Sequence, residues 1–199
     1  MPIDPQPLLD KVVVVTGGSR GLGRAMVLAF AEAGAAVVIA SRKLDACEAL
    51  AAEVAERFGR DALPVAANVS HWDDCDALVD AAYGRLGRVD VLVNNAGMSP
   101  LYPSLDQVTE ALYDKTLAVN LKGPFRLGVR FGAAMEAGDG GAIINVSTIG
   151  SLRPGRDELV YACAKAGLNA LTIGLADAFG PKAPVKPSVS ASRPALAAA

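Results

Sequence analysis

Lys11-Val12-Val13-Val14-Val15-Thr16-Gly17-Gly18-Ser19-Arg20-Gly21-Leu22-Gly23 decides how the rest of this chain is read. Four valines in succession leave no polar face, so residues 11–16 read as a buried strand. Gly17, Gly21 and Gly23 follow at once, and the pattern then turns helical. Glycine permits positive φ and lets backbone amides approach a pyrophosphate closely, and that anion would also sit at a helix N-terminus. Strand, glycine loop and helix in this order predict a dinucleotide cradle, with Ser19, Arg20 and Leu22 on the same loop. The spacing is Gly-x-x-x-Gly-x-Gly, not Gly-x-Gly-x-x-Gly, and a tight turn without ligand is the alternative for the glycines taken alone.

Outward from this loop, short apolar runs alternate with helix-period segments. Strands are expected at 36–40, 62–66, 89–93 and 142–146, and helices at 22–33, 43–58, 72–85, 107–136 and 158–179. Gly123-Pro124 should break or kink the fourth of these helices, because proline removes a backbone donor and clashes with the preceding turn. Parallel strands need crossovers, so the pattern specifies an α/β, doubly wound parallel sheet with helices on both faces. Residues 1–180 are read as one dinucleotide-binding catalytic domain. Prolines at 181, 184, 187 and 194 each remove a ladder donor, and 181–199 is read as an atypical, disordered tail.

Composition narrows the function classes. The 199 residues suit one domain, and no uninterrupted apolar run approaches the roughly 20 residues of a membrane span. The N-terminus shows no basic region followed by an apolar core, which leads to the expectation of a soluble, cytoplasmic protein. Net charge is −2 with signs interspersed, so no footprint for nucleic acid is apparent. Cys47, Cys75 and Cys163 lack metal-type spacing and histidine companions, so no metal is expected.

Two further clusters carry chemistry. Ser41-Arg42-Lys43 follows the second strand, where an NAD site would place an acid on the ribose 2′-hydroxyl. A guanidinium there attracts a 2′-phosphate, so NADP(H) is expected in preference to NAD(H), helped by Arg20. The plain alternative is that Arg42 and Lys43 are solvated charges at a helix start. Tyr161 and Lys165 are four apart on a helix and share a face. A free phenol has a pKa of about 10, and a neighbouring ammonium should bring it toward neutrality. Tyr161 then protonates a developing alkoxide in reduction and deprotonates an alcohol in oxidation. Cys163, turned away from that face, reads as packing, and His71 as a surface or helix-capping residue.

Taken together, these motifs resemble the short-chain dehydrogenase/reductase family, including its 3-oxoacyl-[acyl-carrier-protein] reductase-like members. The resemblance covers about residues 10–180 and adds Asn94-Asn95-Ala96-Gly97, Asn120 and the hydroxyls ending the fifth strand. It implies that Asn94, Ala96 and Gly97 brace the sheet and contact the adenosine ribose. Asn120 would hold a water in a proton relay from Lys165, which would also bond the nicotinamide ribose, with Tyr161 close by. A hydroxyl near the end of that strand would bind the substrate carbonyl: Thr148 stands 13 residues before Tyr161 and is favoured, with Ser147 the other candidate. Asn68-Val69 replaces an Asp-Val that contacts adenine, and the Asn68 amide oxygen should still accept the adenine amino group. The small-molecule carbonyl or alcohol substrate is implied in the same way, as is a homo-oligomer, dimer or tetramer, through the long helices.

The resemblance fails after Gly180, where two further strands and a substrate cover would be expected. The sheet should therefore end at its fifth strand, with an exposed edge and a chain truncated at its C-terminus. The reading is an NADP(H)-dependent oxidoreductase interconverting a ketone and a secondary alcohol, its activity impaired by truncation. The rival reading is a non-catalytic dinucleotide-binding or interaction module, and the third a structural remnant that binds nothing.

Overall fold

A computed structural model describes residues 6–180 and the strand Val185–Ser190. Six parallel strands form one sheet in the order β3-β2-β1-β4-β5-β6. They are β1 (Val12–Thr16), β2 (Ala36–Ser41), β3 (Ala62–Ala66), β4 (Val91–Asn94), β5 (Ala142–Thr148) and β6 (Val185–Ser190). The helices between them are α1 (Gly21–Glu32), α2 (Leu44–Phe58), α3 (Trp72–Leu86), α4 (Glu110–Leu117), α5 (Gly123–Ala137) and α6 (Leu159–Phe179).

The valine run explains the layering. β1 lies inside the sheet, with Val13 opposite Val37 on one side and Val91 on the other. Successive side chains point to opposite faces. Val12 and Val14 accordingly pack with Leu78 of α3, Leu127 and Phe131 of α5 and Leu175 of α6, whereas Val13 and Val15 pack with Val27 of α1 and Leu50 and Val54 of α2. A strand buried on both faces needs apolar residues at every position, which is what the sequence supplies. By length and composition Arg156–Phe179 would suffice to cross a membrane. Here α6 lies against the sheet with Val160, Ala164, Leu168 and Leu175 buried along one stripe, while other positions such as Ile173 are exposed.

Two expectations need correction. The segment 107–136 is interrupted, as expected, but by a π-helical turn, Ala118–Lys122, that ends where Gly123-Pro124 begin α5 and joins it to α4, which starts only at Glu110. The residue before the proline, Gly123, closes the π turn by donating to Ala118 O, so the amide that Pro124 lacks falls where the α-helical ladder is already interrupted. The wide turn falls instead around Asn120. The second correction concerns the tail. Residues 185–190 pair in parallel with β5, from Ile143 opposite Val185 to Thr148 opposite Ser190, so the sheet neither ends at β5 nor leaves its edge bare. β6 is an edge strand in this sheet, and an edge strand tolerates proline where the missing amide faces away from its neighbour. The prolines argued against a central strand only. Residues 181–184 and 191–199, and the expectation of disorder there, lie outside the described residues.

Candidate active site

The C-terminal ends of β1, β4 and β5 meet at the site, and side chains fasten them together. The Thr16 hydroxyl donates to Val93 O and accepts from the Asn95 and Ala96 amides at 3.1 Å each. Asn95 Nδ2 returns two bonds, to Thr16 O at 2.9 Å and Gly17 O at 3.2 Å. The Asn94–Gly97 segment is thus a clamp on the glycine loop. Gly17 adopts φ +63°, and α1 packs so tightly beneath it that a Cβ on Gly23 would run into the Gly17 carbonyl. Only glycine fits the second position on space and the first on conformation.

Above this loop lies a cleft of about 640 Å³. Gly17, Ser19, Arg20, Gly21, Leu22 and Gly23 line its floor, Ser41 and Arg42 the end of β2, Asn68 and Val69 the end of β3, and Ala96 and Gly97 the end of β4. The cleft therefore brings together every predicted cofactor-contacting residue except Asn94, Tyr161 and Lys165. Asn94 is buried instead, donating through Nδ2 to Asn145 Oδ1 at 2.9 Å, and its own Oδ1 has no hydrogen-bond partner among the described residues. Lys115 of α4 also lines the cleft. Nothing in the sequence marked it, because its helix is remote in the chain.

The donor set fits a dinucleotide phosphate. No acidic residue occupies the first turn of α1, so its positive end is not neutralised there. At the tip of β2 the Ser41 hydroxyl donates to Lys43 O at 3.2 Å and accepts from Lys43 N at 3.4 Å, closing a turn that leaves Arg42 on the cleft wall. The amide oxygen of Asn68 is not free for adenine. It accepts from both Ser70 N, at 3.2 Å, and Ser70 Oγ, at 2.9 Å, so both lone pairs are used locally.

Asn120 is fully buried in the π turn, and its side chain is engaged on every side. Nδ2 donates to Met98 O at 2.8 Å and Thr116 O at 2.9 Å, and Oδ1 accepts from Met98 N at 3.2 Å. The side chain pins the stretch after Gly97 to α4.

Tyr161 and Lys165 emerge one turn apart from α6, as expected, with Nζ 5.8 Å from the phenol ring centroid. The expected consequence for the phenol does not follow. Lys165 Nζ donates to Val146 O at 2.7 Å, and burial alone takes its pKa down to about 8. The Tyr161 phenol is pushed above its ordinary value, by burial first and by the negative charge of Glu158 second. Cys163 is turned away from this face but is exposed, so it is not a packing residue. His71 occupies the N-cap position of α3 without a side-chain cap bond.

The two hydroxyls ending β5 point apart, as neighbours on a strand must. Ser147 is 3% exposed and donates to Asn169 Oδ1 of α6 at 2.8 Å, and Asn169 Nδ2 continues to Ser151 Oγ. The Thr148 hydroxyl accepts from Gly150 N at 3.2 Å, which leaves its own proton to offer. Tyr102 was not anticipated. From the loop after Gly97 its buried hydroxyl donates to Arg156 O at 3.0 Å and accepts from Leu159 N at 2.7 Å, tying down the start of α6 two residues before Tyr161. A lone tyrosine in a loop carries no periodic signal that would have revealed it.

Comparison with known proteins accords with this geometry. An L-rhamnose 1-dehydrogenase (NAD(P)(+)) of Azotobacter vinelandii is 44% identical over 178 residues, 87% of this chain and 69% of that protein. The crystal structure of a metagenomic short-chain oxidoreductase in complex with NADP superposes with a TM-score of 0.88 at 35% identity, covering 93% of this chain and 84% of that one. L-sorbose reductase from Gluconobacter frateurii, solved with NADPH and L-sorbose, gives a TM-score of 0.86 at 29% identity, over 92% of this chain and 69% of that one. The family described as short chain dehydrogenase matches residues 11–194, which takes in the glycine loop, the Asn-Asn-Ala-Gly clamp, Tyr161 and Lys165 in one span, and the chain belongs to that family.

Proposed function

We propose that this chain is an NADP(H)-dependent oxidoreductase that interconverts a ketone and a secondary alcohol. The observation that carries the reading is the juxtaposition on α6 of a phenol held protonated by burial and a buried lysine, beside a cleft built for a dinucleotide. When bound, the nicotinamide cofactor supplies or removes the hydride. Tyr161 supplies the matching proton to the carbonyl oxygen in reduction and takes it back in oxidation. A phenol whose pKa is raised is in its donor form at neutral pH, which suits reduction. Lys165 keeps a positive charge next to that phenol and would bond the cofactor ribose with the donors that Val146 O leaves over. Thr148 offers its hydroxyl proton to the substrate oxygen, and Ser147 holds the strand end against α6. Asn120 positions the loop after Gly97.

NADP(H) is preferred over NAD(H) because Arg42 and Lys43 stand where an acid would repel a 2′-phosphate, with Arg20 across the loop. The relatives named for rhamnose and sorbose support a polyhydroxylated small molecule as substrate. A homo-oligomer joined through α4, α5 and α6 is supported by Tyr113, Phe125 and Ile173, large apolar side chains exposed on those helices. Three unpaired cysteines support a cytoplasmic setting.

Replacing Tyr161 with Phe removes the proton and little else. Turnover of an alcohol by Tyr161→Phe should fall about 100-fold or more, the usual scale of general acid–base catalysis, while NADPH titrates as in the wild type. Near-normal turnover would remove Tyr161 from the reaction. Undisturbed cofactor binding with no turnover even in the wild type would favour the non-catalytic dinucleotide-binding module. Thr148→Val, measured beside Ser147→Ala, separates the two hydroxyls: loss in the serine variant alone would reverse their roles.

A further inference from the structure

Glu158 is the residue immediately before α6 and stands three positions ahead of Tyr161. It is half-buried, and among the described residues its carboxylate makes no hydrogen bond or ion pair. Gly150, by lacking a side chain, leaves the room that the Glu158 carboxylate occupies. A Cβ built on that glycine would lie 2.7 Å from Glu158 Oε1 and 3.6 Å from Thr148 Cγ2, so the carboxylate and the threonine side chain flank the same glycine. The Gly150 amide is itself bonded to Thr148 Oγ1. Glu158 also stands three residues before Tyr161 on the same turn, where burial first and the carboxylate's charge second raise the phenol's pKa. Arg153 and Arg156, the nearest cations along the chain, are exposed and pair with no carboxylate among the described residues, so the charge of Glu158 is not cancelled locally.

A carboxylate accepts hydrogen bonds and donates none, and a half-buried one without a partner favours whatever brings a donor to it. A substrate whose reacting oxygen lies between Thr148 and Tyr161 places its neighbouring carbon beside Glu158. We propose that Glu158 is a specificity-determining residue that accepts a hydrogen bond from a hydroxyl on the carbon next to the reacting one, making vicinal diols, such as those of sugars and polyols, the substrate class. An acid group at the same place would meet like charge, so 2-hydroxy acids are rejected. The inference rests on the oxidoreductase reading above and adds which alcohols the site selects.

The test compares cis-1,2-cyclohexanediol with cyclohexanol, both oxidised with NADP+ by the wild type, Glu158→Gln and Glu158→Ala. A hydrogen bond to a charged group is expected to give the wild type about a tenfold or greater advantage in kcat/KM for the diol. Glu158→Ala should bring the two alcohols to within about twofold, and Glu158→Gln, which keeps an acceptor oxygen, should recover part of the preference. A merely structural role would lower both substrates alike and leave their ratio unchanged. Equal kcat/KM for the two alcohols in the wild type, or an unchanged preference in Glu158→Ala, overturns the assignment while leaving the oxidoreductase reading intact. No turnover of either alcohol by wild type that still binds NADP+ overturns both.

Discussion

Lys165 shows how a single residue trades stability for chemistry. Burial takes its pKa from 10.5 to about 8, so between those values the unfolded chain binds more protons than the folded one. Stability therefore rises with pH across that window, and the full penalty is present below pH 8. A depression of this size corresponds to about 3 kcal/mol. Lys165→Met, which gives up only the bond to Val146 O, should be more stable at pH 7 by about 1 to 3 kcal/mol, and the gain should fade toward pH 10. Urea unfolding at both pH values reads this directly; a destabilised variant would mean the ammonium is better satisfied than its burial suggests. The pair Tyr161 and Lys165 was legible in the sequence because four residues on a helix make one turn. The direction of the phenol's shift was not. Helical spacing fixes where two Cβ atoms lie but not where a four-carbon chain ends, and here it ends on the Val146 carbonyl. Similarly, Asn68 was legible as a residue of the cleft, but its commitment to Ser70 depends on a turn formed two residues later.

At the scale of elements the glycine loop was the clearest signal, because strand, glycines and helix each have a distinct physical signature. The structure adds that its glycines do different things. Gly23→Ala drives a methyl into the Gly17 carbonyl and should destabilise the fold by about 1 to 3 kcal/mol while weakening dinucleotide binding. Gly84 in α3 meets nothing within 4 Å, so Gly84→Ala should be neutral or stabilising by up to about 1 kcal/mol. Thermal melts of the two variants with and without NADPH separate these cases, and similar losses in both would contradict a specific role for Gly23. Other elements were less legible for physical reasons. The π turn at Asn120 joins α4, which packs on α6, to α5, which packs on α3, α6 and the sheet, and such packing lies outside any local pattern, whereas the eye is drawn to Gly123-Pro124 nearby. β6 was missed because proline was weighed as if the strand were central, and edge position is a property of the whole sheet.

For the whole molecule, the strand order places β1 between β2 and β4, where the winding reverses. Ligands of open α/β sheets bind in the crevice beyond the strand ends at such a switch point. Alternating apolar and helical segments were enough to predict this architecture, since parallel strands admit few connections. What the sequence left open is which side chains close the substrate side. That depends on contacts between distant loops, such as Tyr102 with the start of α6 and Glu158 over Gly150. The central claim is that the cleft beneath the β2 tip holds NADP(H) through its phosphates and 2′-phosphate, and equilibrium titration of the wild-type protein with NADPH and NADH, repeated on Arg42→Asp, tests it most directly. The account predicts NADPH bound about tenfold or more tightly than NADH, the scale of one charge-assisted contact, with the preference abolished or reversed in the variant. Binding of neither dinucleotide, or NADH bound as tightly as NADPH by the wild type, would contradict it.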